Sequence, residues 1–145
     1  MNRHLRTWAA GQKTKDIVRR AGENIAAAEV EAVLRKHPKV VDAAIIAVPD
    51  RVRGEEAKAY VVLTSGEDQR SLPPRELARL CETQLARFKV PRYWAYVSGD
   101  LPRTPSMRVR KDELRAAGPL AGVIWDRDAE PGARTGAEGG QRERA

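Results

Sequence analysis

The stretch AAAEVEAVLRKHPKVVDAAIIAVPD, residues 26–50, decides the fold. Its first half places Val30, Val33 and Leu34 three and four apart, which predicts a helix over 26–36 with one apolar stripe. Glu29 and Glu31 suit the early turns, and Arg35 and Lys36 suit the last. His37-Pro38 ends it, because a residue before proline is pushed out of helical geometry. The second half, Val40 to Val48, is an apolar run of strand length. Such a run predicts a central strand covered on both faces.

Outward from this pair the signals stay regular. Upstream, Asp16 to Ala21 predicts a short strand, Gly22-Glu23-Asn24 a turn, and Ile25 the start of a return strand. Downstream, Pro49 to Gly54 forms a turn and Glu56 to Leu63 the next strand, joined closely enough for antiparallel pairing. A polar loop over 65–71 precedes Pro73-Pro74, which opens a second helix. Leu77, Leu80, Cys81 and Leu85 point inward from it. Tyr93 to Val97 makes a further strand, and 112–117 a small helix closed by Gly118. The fold class is therefore α+β: a small, mainly antiparallel sheet flanked by helices and preceded by a short β-hairpin. We expect three segments: an irregular N-terminal remnant over 1–12, a domain over 13–118, and a disordered tail over 119–145, rich in Gly, Ala, Arg and Glu.

The bulk numbers exclude several classes. A chain of 145 residues with 41% hydrophobic and 32% charged residues can build one core without disulfides. No run has the length of a membrane span or a signal peptide, so no membrane role is expected and the cytoplasm is the expected location. Cys81 is the only cysteine and reads as buried and structural. His4 and His37 have no partners at ligand spacing, so no metal site is expected. The net charge is +7, yet 119–145 carry four arginines against five acids, so the positive excess belongs to 1–118. That surface would attract anions such as nucleotide or coenzyme phosphates. One Phe, three Tyr and three Trp, not interleaved with the basic residues, argue against nucleic acid.

Within that basic part, LPRTPSMRVRK, residues 101–111, stands out. Two prolines stiffen the lead-in, and Arg108, Arg110 and Lys111 follow almost together. The pattern is a rigid arm that delivers cations.

Three stretches, 13–50, 54–63 and 85–115, together resemble the C-terminal domain of the adenylate-forming, AMP-binding superfamily. The elements GENI, HP–VxDAA, VPD, GE, FKVP and LPRTPS look most like acyl-CoA synthetases. The resemblance implies a lid that turns between two orientations on a large ATP-binding domain. One orientation completes the site for acyl-AMP; the other guides coenzyme A to it. ATP and coenzyme A are the implied co-substrates. Lys15 matches the hinge position, and Lys13 stands where an arginine usually meets the nucleotide ribose. Ala21, Gly22 and Glu23 match the loop that lines the pantetheine tunnel, although Gly22 could equally serve only a β-turn.

The arm departs from the family pattern Pro-Arg-Thr-x-Ser-Gly-Lys-Val-x-Lys. Met107 stands at the glycine and Arg108 at the catalytic lysine, while Lys111 matches the second lysine. Arginine keeps the charge but is wider, planar and forked. The resemblance therefore implies that acyl-AMP formation is slowed, by ~10²-fold or more, while the thioester step, which does not use this lysine, survives. The alternative for Arg108 is a solvated surface charge. No Ser/Thr/Gly-rich phosphate loop with its lysine is found, and Leu5-Arg6-Thr7 only echoes the end of the large domain. The expectation is an acid–CoA ligase lid that is inactive alone and needs a separate adenylation domain or subunit. The alternative is a non-catalytic module that binds coenzyme A, nucleotide or a protein partner.

Overall fold

Five strands and three helices follow one another from the first described residue, in a computed structural model that describes residues 16–129, and a two-residue sixth strand closes the order. Lys13, Lys15, the N-terminal segment and positions 130–145 of the expected tail lie outside the described residues. Strands β1 (Ile17–Arg20) and β2 (Glu23–Ala26) form the expected hairpin. Helix α1 (Ala27–Arg35) follows directly, then β3 (Val40–Asp50) and β4 (Gly54–Leu63). Helix α2 (Pro74–Gln84) leads through a single 3₁₀ turn to β5 (Tyr93–Tyr96). Helix α3 (Lys111–Ala116), β6 (Trp125–Asp126) and a last 3₁₀ turn (Arg127–Ala129) complete the described chain.

Strand β4 is the centre of the sheet. It runs antiparallel to β3 along its length, meets β1 at Arg20–Gly54, and pairs with β5 over Lys58–Val61. The β4–β5 pairing is parallel, because α2 carries the chain back to the starting end before β5 begins. The other pairings are antiparallel, so the sheet is mixed but mainly antiparallel.

The expected two-sided burial is observed, but β3 is not the expected central strand: among the described residues it pairs with β4 alone, and its free edge is taken up by α1. Ala43 and Ile45 of β3, with Ala57, Ala59 and Val61 of β4, face Val30, Leu34, Leu77 and Cys81 of α1 and α2. The alternate residues Ala44, Ile46, Val48, Tyr60 and Val62 face Leu101 and Leu114. The period of two thus splits one apolar run between two cores. The outer edge of β3 is covered by α1: Glu31 Oε2 accepts from the Ile45 amide at 2.9 Å, and Arg35 Nη2 donates to the Ala43 carbonyl at 3.1 Å. Four residues apart on one helix face, these side chains occupy edge groups that could otherwise pair with another chain.

The C-terminal boundary differs from expectation. Residues 119–129 belong to the fold rather than to a disordered tail. Trp125–Asp126 pair antiparallel with β5, and the Ile124 and Arg127 amides donate to the Trp94 and Arg92 carbonyls at 2.8 Å each. Trp125 lies 6.4 Å from Trp94, centroid to centroid, and Asp126 binds Arg92 at 2.9 Å. Fully buried Lys58 donates to the Ala121 carbonyl at 2.7 Å, with Tyr60 below it at 4.6 Å. Burial lowers the pKa of Lys58. A polar composition concealed these few strong attachments.

Candidate functional site

Two loops carry the sequence candidates, and the fold sets them far apart. The first is the turn of the β1–β2 hairpin. Arg20 pairs with Glu23, so Ala21 and Gly22 form a two-residue loop. Both have positive φ, 50° and 84°, as a hairpin turn of this length demands. A Cβ on Gly22 would meet nothing within 4 Å, so backbone conformation rather than packing calls for the glycine. Ala21, Gly22 and Glu23 are all exposed.

This turn is braced by charge. The Ala21 amide donates to the Arg53 carbonyl at 2.8 Å, which docks it on the β3–β4 turn. Beneath it lies Glu56, whose side chain is fully buried. Arg20 reaches Glu56 at 2.7 Å, Arg53 at 2.9 Å and Arg92 at 3.8 Å. Arg53 also binds Asp128 at 3.1 Å, and Arg92 binds Asp50 at 3.4 Å. Mixed charges thus link β1, β4, β5 and the C-terminal segment at one end of the sheet.

The second loop is the arm, at the other end. Only Leu101 at its entry is buried. Arg103 and Val109 bridge, the Thr104 amide donates to the Arg108 carbonyl, and the Met107 amide donates to the Thr104 carbonyl, the last two at 2.8 Å. The arm is therefore a tight hairpin. Met107 takes φ 72° and is 65% exposed, so a methionine holds a backbone conformation suited to glycine. Arg108 lies exposed beside it, and its side chain has no hydrogen bond or ion pair among the described residues.

Lys111, by contrast, is engaged. Its ammonium sits 2.7 Å from Glu31 and 3.1 Å from Asp16, with 14% of its side chain exposed. It ties the base of the arm to α1 and to the residue that follows Lys15 in the chain. The two loops contact β3 near Asp42 and near Asp50, eight residues apart. At ~3.3 Å per residue, that is about 26 Å. The structure does not bring Arg108 together with Ala21, Gly22 and Glu23.

Cys81 is fully buried, and burial pushes its thiol up to about 12, which suits a packing role. Among the described residues no cluster of His, Cys, Asp or Glu could hold a metal, and no helix is long and apolar enough to cross a membrane.

The model of the AMP-binding enzyme C-terminal domain matches residues 29–108. The chain belongs to that family. It is 37% identical over 100 residues to the crotonobetaine/carnitine–CoA ligase of Escherichia coli, covering 69% of this chain and 19% of the ligase. Among solved structures it resembles a Mycobacterium tuberculosis fatty acyl CoA synthetase, with 35% identity and a TM-score of 0.64, over 70% of this chain and 19% of that one. It also resembles the amide bond synthetase McbA of Marinactinospora thermotolerans, with 34% identity and a TM-score of 0.65, over 70% and 20%. The chain thus spans about a fifth of the length of the relatives it matches.

Sequence reasoning missed the ion pairs that hold these loops. Asp42 and Arg103 stand in two motifs noted above, HP–VxDAA and LPRTPS, and they meet across 61 positions. The sequence pattern marks Glu56 only as the start of a strand. The available signal was a carboxylate placed within an otherwise buried strand, which needs a cation.

Proposed function

We propose that these residues form the lid of an ATP-dependent acid–CoA ligase, acting on a large ATP-binding domain from outside the 145 residues. The observation that carries the proposal is Arg108: an exposed cation, without a partner among the described residues, at the tip of a hydrogen-bonded arm in a family domain. On this reading the arm enters the adenylation site, and Arg108 lies between the acid's carboxylate and the departing pyrophosphate. Negative charge develops there, and a cation placed in advance lowers the barrier. ATP and the acid bind the large domain, and Lys13 meets the nucleotide ribose. The lid then turns about Lys15, and the Ala21–Gly22–Glu23 turn faces the pantetheine arm of coenzyme A. The two loops meet β3 about 26 Å apart, and on this reading that is why one orientation does not serve both steps.

An amide bond synthetase shares the fold, so the thiol acceptor is the part to test most directly. The experiment supplies the large domain of a related acyl-CoA synthetase to this chain. It measures ATP–pyrophosphate exchange, then product formation with coenzyme A and with an amine in parallel. Exchange and thioester only in the combined sample support the proposal. Amide without thioester replaces coenzyme A as the acceptor. Turnover by the chain alone overturns the lid reading.

A further inference from the structure

The arm's tip has little packing to hold it. Residues 105–108 are exposed, and apolar support is confined to the flanks, at Leu101 and Val109. One guanidinium spans the gap. Arg103 Nε donates to Asp100 at the arm's entry (3.4 Å), Nη1 donates to the Met107 carbonyl in the tip (3.0 Å), and Nη2 donates to Asp42 on β3. Entry, tip and sheet are joined through one planar group, as a fork with fixed donor directions permits.

Asp42 is itself held firmly. Its other oxygen accepts from Arg35 Nε at 3.1 Å, from Arg35 Nη2 at 3.0 Å and from the Ala43 amide at 2.8 Å. The backbone is shaped to present it. The β3–β4 register shifts between Val40 and Asp42, a bulge that leaves Val41 57% exposed. Because of that extra residue, Val40 and Ala43 share the first core while Asp42 falls on the arm's side of the sheet. Bulges re-aim side chains in this way.

We propose that Asp42 is the positioning residue of the arm: through Arg103 it fixes the tip from which Arg108 projects. It touches no reacting atom. Its value to catalysis rests on the proposed function, but its effect on the arm does not. Burial pushes the Asp42 carboxyl up, yet the Ala43 amide, Arg35 and Arg103 together pull it below the ordinary value, so the anchor is ionised at neutral pH.

The test uses the full chain and nitrogen-15 relaxation. In the parent protein, Met107 and Arg108 show order parameters in the rigid range, about 0.85. Asp42→Asn keeps an oxygen for the Ala43 amide but removes the charge that faces Arg103. The tip is expected to fall below about 0.6, with Ala21 at the far end unchanged. Arg103→Lys keeps a charge opposite Asp42, but its donors all sit on one nitrogen and cannot span the separate positions of Asp100, the Met107 carbonyl and Asp42, so it loosens the same two residues. A urea midpoint on each variant separates local loosening from general weakening. An unchanged tip in Asp42→Asn overturns the proposal. So does a tip that loosens only in step with Ala21. Neither result touches the ligase reading, which is decided by the reconstituted activity.

Discussion

The two loops solve one backbone problem with different surroundings. Ala21 and Met107 are the two non-glycine residues with positive φ among the described residues, and each sits in a loop that the sequence marked for function. Such conformations cost ~1–2 kcal/mol and persist only when neighbours hold them. At Ala21 the holding is done by a docked β-turn over a buried carboxylate with three arginines. At Met107 it is done by the arm's own hairpin bonds and by Arg103, which ties the tip to Asp42 on the sheet, with the tip in solvent. Under the proposed function, the β1–β2 turn lines a passage and can be fixed rigidly from below, whereas the arm enters another domain and is held only from its base.

The largest effect is expected at the braced end. Glu56→Ala leaves the Arg20, Arg53 and Arg92 cluster without its central anion. Removing one partner of a buried pair costs ~3–5 kcal/mol, and the lower end applies because the arginines are partly exposed. Urea unfolding followed by circular dichroism measures it; a loss under ~1 kcal/mol would show that the brace is ornamental.

Next come the strained residues. Met107→Gly and Ala21→Gly each relieve a positive φ and should stabilise by up to ~1 kcal/mol. The same urea assay ranks them. If both destabilise, the strain assigned to these turns is absent.

The smallest effect is on pH. The folded pKa of Asp42 lies below its ordinary value of 3.8, so its contribution is complete above that pH and is lost as pH falls through the lower folded value. The arm should therefore stay ordered down to about pH 4 and loosen only below it. A carboxyl NMR titration of Asp42 with a midpoint above 3.8 would contradict this.

Much of this was open to reading because the deciding signals are local. The 3.6-residue stripe of Val30, Val33 and Leu34 and the long apolar run of β3 each depend on near neighbours. The hairpin was legible from Gly22, but its turn falls on Ala21-Gly22 and not on the expected Gly22-Glu23-Asn24, because Glu23 and Asn24 pair with Arg20 and Arg19. What stayed hidden depends on distant partners. Residues 119–129 look like tail by composition, but Asp126 and Asp128 find Arg92 and Arg53, and Trp125 finds Trp94. The parallel β5 required knowing where α2 ends in space. Lys111 was matched to a second lysine, and only the fold shows that Glu31 and Asp16 already engage it.

The central claim is that the two ends of this domain serve two different steps. Arg108→Lys, in the chain combined with a large domain, tests it directly when acyl-AMP formation and thioester formation are timed separately. The account predicts that adenylation rises by ~10²-fold, since a compact ammonium replaces a forked guanidinium, while the thioester step stays within about twofold. Equal change in both steps, or none in adenylation, would contradict it.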